Sequence, residues 1–134
     1  MRGIRGATTV PVNDADAIVE ATEELLVELA RLNDLDVEEI AFGYFTTTTD
    51  LDAEFPALAA RRLGWVDVPL LCGRDMEVRQ PNPRGIAMCI RLLLLYNTDR
   101  RQGEMRHAYL RGASAIKQDL DAMRSKLEAA VSRP

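Results

Sequence analysis

The sequence has one histidine, two cysteines and one tryptophan among 134 residues. A single histidine, His107, argues against most zinc sites and against His-dependent triads built within one chain. Cys72 and Cys89 are too few for a disulfide framework and lack metal-ligand spacing. Lysine is scarce as well: fifteen of the seventeen basic residues are arginine, leaving Lys117 and Lys126. There is no long hydrophobic run. The longest, Ile86 to Tyr96, is interrupted by Arg91 and falls short of the roughly 20 apolar residues a bilayer span needs. The N-terminus opens Met-Arg-Gly with no apolar signal stretch. These absences predict a soluble, cytoplasmic protein with reduced thiols, no metal site and no membrane contact.

What is present is ordinary for one globular domain, with 47% apolar and 28% charged residues. The net charge is −4, and its distribution says more than its sum. Residues 13 to 54 carry thirteen acids and one base, Arg31. Residues 55 to 111 carry ten arginines and five acids. An arginine-rich half of an acidic chain fits either a small-anion site or a solvated arginine surface. Nucleic acid is disfavoured, because no basic helix and no interleaving of aromatic and basic residues is present.

The hydrophobic periodicity gives an element order β-α-β-α-β-β-β followed by a terminal helix. Gly3 to Val12 reads as a strand of β-formers. Asn13 or Asp14 caps a helix whose Ile18, Leu25, Leu26, Leu29 and Leu32 share one stripe, with Asn33 at its end. Ile40 to Thr47 is a second strand. Phe55-Pro56 begins a short helix that Gly64 ends. Val66 to Cys72 is a third strand, with Pro69 placing it at an edge or bulge. Residues 79 to 85 form a loop. Ile86 to Asn97 is a strand apolar on both faces and therefore central, and residues 106 to 111 form a fifth strand. Leu120, Met123, Leu127 and Val131 mark the terminal helix. Two strand–helix–strand units predict parallel neighbours, with the later strands free to pair antiparallel. The expected fold is α+β, one mixed five-stranded sheet with helices on one face. Its other face needs a partner, which predicts a closed homo-oligomer.

Arg91 is the strongest chemical signal. Buried unpaired it costs several kcal/mol, so it is either half of a structural Arg–carboxylate pair or an arginine awaiting an anionic ligand. Arg2 and Arg5 flank Gly3 in the first strand, near Gly6, which fits a ligand-facing strand or a solvent-facing edge. His107 and Tyr109 share a face of the fifth strand. Tyr109 can donate to an anion or simply pack. Asp75 is a loop carboxylate, and Cys72 reads more readily as a small core residue than as a nucleophile.

Taken together and in order, these segments resemble the AroH class of chorismate mutases. Arg2-Gly3-Ile4-Arg5-Gly6-Ala7-Thr8-Thr9, Thr49-Asp50-Leu51-Asp52-Ala53-Glu54-Phe55-Pro56-Ala57, Val68-Pro69-Leu70-Leu71-Cys72, Cys89-Ile90-Arg91 and Arg106-His107-Ala108-Tyr109-Leu110 carry the likeness. It covers a single domain at residues 1–120 and leaves 121–134 as a C-terminal helix or tail. The resemblance implies a homotrimer with a pseudo-α/β-barrel core and active sites between subunits. It implies the rearrangement of chorismate to prephenate, for phenylalanine and tyrosine biosynthesis, without cofactor or metal. By similarity Arg91 meets the ether oxygen and a carboxylate, Arg5 holds anionic groups, and Tyr109 donates to a carboxylate. Leu71, Cys72, Gly73, Arg74 and Asp75 line the ring side. Phe55, Ala57 and Arg61 form wall and mouth. Three positions depart from the family pattern: Asp75 stands for the usual glutamate, Leu58 for a lysine of some members, and Lys117 for a common arginine. The competing expectations are a non-catalytic anion-binding trimer and a Rid-type enamine/imine deaminase.

Overall fold

The computed structural model describes residues 1–131. Five strands, β1 (Arg2–Thr9), β2 (Ile40–Thr47), β3 (Leu70–Arg74), β4 (Cys89–Tyr96) and β5 (Ala108–Tyr109), form one mixed sheet in the order β3-β2-β4-β1-β5. β4 is antiparallel to both β1 and β2, while β2–β3 and β1–β5 are parallel pairs. The most apolar strand thus takes the centre, where both backbone edges find partners. This corrects one expectation. β1 and β2 point the same way, but β4 lies between them, so only the second strand–helix–strand unit joins direct parallel neighbours.

α1 (Ala15–Asn33) and α2 (Ala57–Arg62) lie on one face of the sheet. α1 starts where the Asp14 carboxylate accepts the Ala17 N–H at 3.1 Å, and ends as Asp34 turns left-handed at φ 50°. Ile18, Leu25, Leu26 and Leu29 of α1 are fully buried against Ile4, Phe45, Ile90 and Leu94 of the sheet. The approach is close at Gly6, where a Cβ would stand 2.9 Å from a Leu29 methyl. α2 adds Ala59 and Ala60 to the same core. α3 (Ser114–Val131) runs without a break past residue 120 and buries none of its residues. Residues 132–134 of the expected tail lie outside the described ones. Among the described residues no helix is long and apolar enough to cross a membrane.

The first strand ends at Thr9 rather than Val12 and the third runs on to Arg74 rather than stopping at Cys72, and at three further places a side chain takes over the backbone's hydrogen bonding. The third strand begins at Leu70 rather than Val66. The Arg61 guanidinium reaches the carbonyls of Trp65, Val66 and Val68 at 2.6, 3.2 and 3.1 Å, so this stretch is tied to α2 instead. The fourth strand starts only at Cys89, because Met88 is left-handed at φ 53° and its N–H is held by Asp50 at 2.9 Å. The fifth strand shrinks to two residues. Alongside it the Arg5 N–H is taken by His107 Nδ1 at 2.9 Å, and the Gly3 backbone by the Gln102 amide.

Candidate active site

Side chains alternate along a strand, so register decides which of them share a face. On the face away from α1 and α2, one row crosses the whole sheet: Gly73, Thr46, Arg91, Ala7 and Tyr109 are successive cross-strand partners. The next row is Leu71, Tyr44, Leu93 and Arg5. Leu71 is 69% exposed and Tyr44, Leu93 and Phe42 about 40% exposed, so none of the described residues covers the apolar half of this face.

Asp75 closes the first row at the β3 end. Its N–H donates to the Thr47 carbonyl at 3.0 Å, continuing the β2–β3 ladder by one residue. Its carboxylate then reaches back over the sheet. Oδ2 accepts from Arg91 Nε at 3.0 Å, and Oδ1 accepts from the Thr46 hydroxyl. The Arg91 side chain is one-third exposed and that of Asp75 13% exposed, so the pair sits at the bottom of an open surface and is not sealed in a core. Among the described residues only Nε of Arg91 has a protein partner, which leaves both Nη nitrogens available. Two strand spacings away, roughly 10 Å, the Tyr109 hydroxyl is buried with no hydrogen-bond partner among the described residues. A buried donor without a partner costs free energy unless a ligand or a neighbouring chain satisfies it.

A cleft of about 410 Å³ opens at the same end of β2 and β3. Thr47, Leu51, Phe55, Cys72, Gly73 and Arg74 line it. Phe55 stands 69% exposed at its rim. Cys72 is the cross-strand partner of buried Phe45 and therefore lies on the helix side of the sheet, opposite the face that carries Arg91. Ala57 opens α2 beside it, and its backbone N–H lies at the Cys72 sulfur. Burial raises the Cys72 thiol above its ordinary range, and the Ala57 N–H offsets part of that. Cys89 is buried more deeply and is pushed up to about 11, chiefly by desolvation. His107 is lowered, first by burial and then by the charges of Arg5 and Arg124. With Nδ1 accepting the Arg5 N–H, His107 is a neutral acceptor.

The expected site residues therefore fall into three groups. Arg5, Leu71, Asp75, Arg91 and Tyr109 share the open face. Phe55, Cys72, Gly73 and Arg74 share the cleft, with Ala57 behind it. Arg61 points away from both, into the carbonyls of residues 65 to 68. Arg74 is also turned inward, its Nη1 bound to the Thr47 hydroxyl and to the carbonyls of Thr48 and Leu51 at 2.7 to 2.9 Å. Sequence reasoning missed Thr46. Its place in a β-forming run concealed a hydroxyl that meets Asp75 twenty-nine residues away.

Comparison with known proteins agrees on one family. The model of chorismate mutase type I matches residues 1–120. Chorismate mutase AroH of Thermus thermophilus is 44% identical over 123 residues, covering 91% of this chain and 98% of that protein. Chorismate mutase AroH of Bacillus subtilis is 37% identical over 121 residues, covering 90% and 92%. A solved chorismate mutase from Clostridium thermocellum superposes with a TM-score of 0.79 at 44% identity, covering 84% of this chain and 97% of that one.

Proposed function

The chain belongs to the chorismate mutase type I family, and from that premise we propose how its residues divide the work of turning chorismate into prephenate. The protein is an isomerase of aromatic amino acid biosynthesis. Its reaction is a unimolecular [3,3] shift, with no covalent intermediate and no obligatory proton transfer. The breaking ether bond puts partial negative charge on its oxygen and partial positive charge on the ring. Fixed charges and a template for the compact conformer are therefore sufficient catalysts.

The observation that carries this reading is the one-third-exposed Arg91, its two Nη nitrogens unengaged among the described residues, placed on an open sheet face beside a carboxylate. Arg91 meets the ether oxygen and one substrate carboxylate. Asp75 faces the ring and its hydroxyl. The Tyr109 hydroxyl donates to a substrate carboxylate once the side chains that cover it shift, and Arg5, one row away, holds the anionic side. Phe55, Ala57, Leu71, Cys72 and Gly73 supply the wall, Arg74 shapes it from within, and Arg61 supports the mouth. Residues 1–120 form the catalytic domain, with the rest of α3 as a tail. Two free cysteines suit a cytoplasmic setting.

The division between faces has a consequence for assembly. Arg91 and Arg5 look out from the open face, whereas Cys72 and Phe55 line a cleft at the helix side of the sheet end. The row and the cleft adjoin at Gly73, and a second copy set against this edge of the sheet would enclose a substrate between them. The exposed stripe of Phe42, Tyr44, Leu71 and Leu93 supports the same conclusion, since apolar surface of this kind is normally covered. The protein is accordingly a homotrimer with sites between subunits and a pseudo-α/β-barrel core. Sedimentation equilibrium at micromolar concentration is expected to give three times the 14.9 kDa chain mass. A monomer there removes the intersubunit site.

The pH dependence follows from the shifts. A raised Cys72 and a Cys89 near 11 stay as thiols through neutral pH. A lowered His107 is neutral above its ordinary pKa of 6.5. All three are mainly in their neutral forms between about pH 7 and 9. The saturated rate is expected to be nearly flat over that range, and Cys72→Ser is expected to keep substantial activity. A bell-shaped profile that Cys72→Ser or a His107 variant alters would overturn the electrostatic mechanism.

A further inference from the structure

We propose that Thr46 is a positioning residue. Its hydroxyl holds Asp75 in a one-ended contact with Arg91 and so keeps both Nη nitrogens of Arg91 free for the substrate's anionic oxygens. The inference rests on the roles given above to Arg91 and Asp75.

An arginine and a carboxylate left to themselves favour a bidentate fork, in which two guanidinium N–H groups meet two carboxylate oxygens. That geometry would engage an Nη as well as Nε and place half of the recognition fork in an internal pair. It is not the arrangement found. Asp75 Oδ2 takes Nε alone, at 3.0 Å, and Oδ1 is turned aside to the Thr46 hydroxyl. Thr46 lies directly between Gly73 and Arg91 in the cross-strand row, so its hydroxyl stands under the end of the Asp75 side chain. The Tyr44 ring packs over Gly73 on the other side, where a Cβ would collide with its hydroxyl. The Asp75 backbone is pinned by its bond to the Thr47 carbonyl. With the backbone fixed, rotation of the carboxylate is the freedom that remains, and the Thr46 hydroxyl takes it away.

The hydroxyl also leaves the carboxylate capacity to spare. Two oxygens offer about four acceptor positions; Thr46 and Arg91 occupy two. A substrate hydroxyl can therefore be met without breaking either contact. A short aspartate depends on this support more than a longer side chain would, because it reaches Arg91 only from one direction.

The test separates this role from that of an ordinary strand residue. Thr46→Val keeps the β-branched shape that suits a strand and removes the donor. It is expected to lower kcat about tenfold or more, the scale of a lost hydrogen bond to a charged group, with an unchanged melting temperature. Thr46→Ala, which also lacks the hydroxyl, is expected to show the same kcat loss. Thr46→Ser restores the donor and is expected to restore kcat. In an Asp75→Ala background Thr46→Val is expected to cost nothing further, because the group it positions is gone. Wild-type kcat in both hydroxyl-free variants, or an equal loss with and without Asp75, overturns the proposal. Wild-type turnover in Asp75→Ala alone overturns the catalytic reading of Asp75 itself, and the role of Thr46 falls with it. That result is read from a variant that leaves Thr46 intact, so the two failures are distinct.

Discussion

Replacing Arg91 with citrulline is expected to lower turnover at saturating chorismate by about a thousandfold or more, while weakening substrate binding far less. Citrulline keeps the length, the planar end and the Nε–H, so the contact to Asp75 Oδ2 can persist. What it removes is the positive charge. On the roles proposed above, the substrate's carboxylates are met in the ground state by several donors, Arg5 and Tyr109 among them. The ether oxygen is different, because its negative charge grows only as the bond breaks. A charge fixed beside it lowers the barrier without lowering the ground state, and its loss appears in kcat. If Arg91 held a carboxylate equally in both states, KM would rise and kcat would stay the same. If the Arg91–Asp75 pair were only structural, the variant would unfold at lower temperature. The pair is one-third exposed on the arginine side, which limits its worth to the fold. Arg91→Lys keeps the charge as a point and loses the fork, so it is expected to retain less activity than charge alone would predict. Kinetics at saturation with a melting curve distinguish these outcomes. Near-normal turnover in a folded citrulline variant would sink the mechanism.

Arg91 was legible in the sequence for a simple reason: a charge among Ile90, Leu92, Leu93 and Leu94 has to be explained by a partner or a ligand. The centrality of β4 was legible from the same run, since residues of both parities are apolar. What was not legible depends on register and on long side chains. Nothing in the composition of β4 says that it enters between β1 and β2, because a strand with two apolar faces fits beside either. The direction of Arg61 and Arg74 was hidden too. A guanidinium on a flexible stem goes where carbonyls are left over, and those carbonyls belong to loops at residues 65 to 68 and 48 to 51 whose shape no periodicity reveals. Thr46 was concealed by its own suitability as a strand former. Cys72 was read as a core residue, and the register does turn it toward the helices. The same register opens it to a cleft, so its face emerges only from the pairing of β2 with β3.

Removing the Asp75 carboxylate is the second large effect. Asp75→Ala is expected to cost roughly 2–4 kcal/mol of transition-state stabilisation, about 30- to 1000-fold in kcat, the scale of one preorganised electrostatic partner. Two losses combine. The positive charge that develops on the ring no longer faces a carboxylate. The Arg91 guanidinium also loses the contact that orients it, so its Nη nitrogens sample directions other than the ether oxygen. Stability is expected to change little, since the pair lies at an open surface and Arg91 can be hydrated once Asp75 is gone. Asp75→Glu provides the complementary measurement. It keeps the charge and adds one methylene, reaching farther over the row that holds Thr46 and Arg91. Turnover is expected to be retained or raised, because the longer arm brings the carboxylate nearer the ring while the Thr46 hydroxyl remains within its range. If Asp75→Ala turns over chorismate like the unaltered protein, Asp75 has no part in catalysis and the residue facing the ring must be sought elsewhere on the open face. If Asp75→Glu instead loses as much as Asp75→Ala, the length of the aspartate is itself matched to Thr46, and charge without that fit does not suffice.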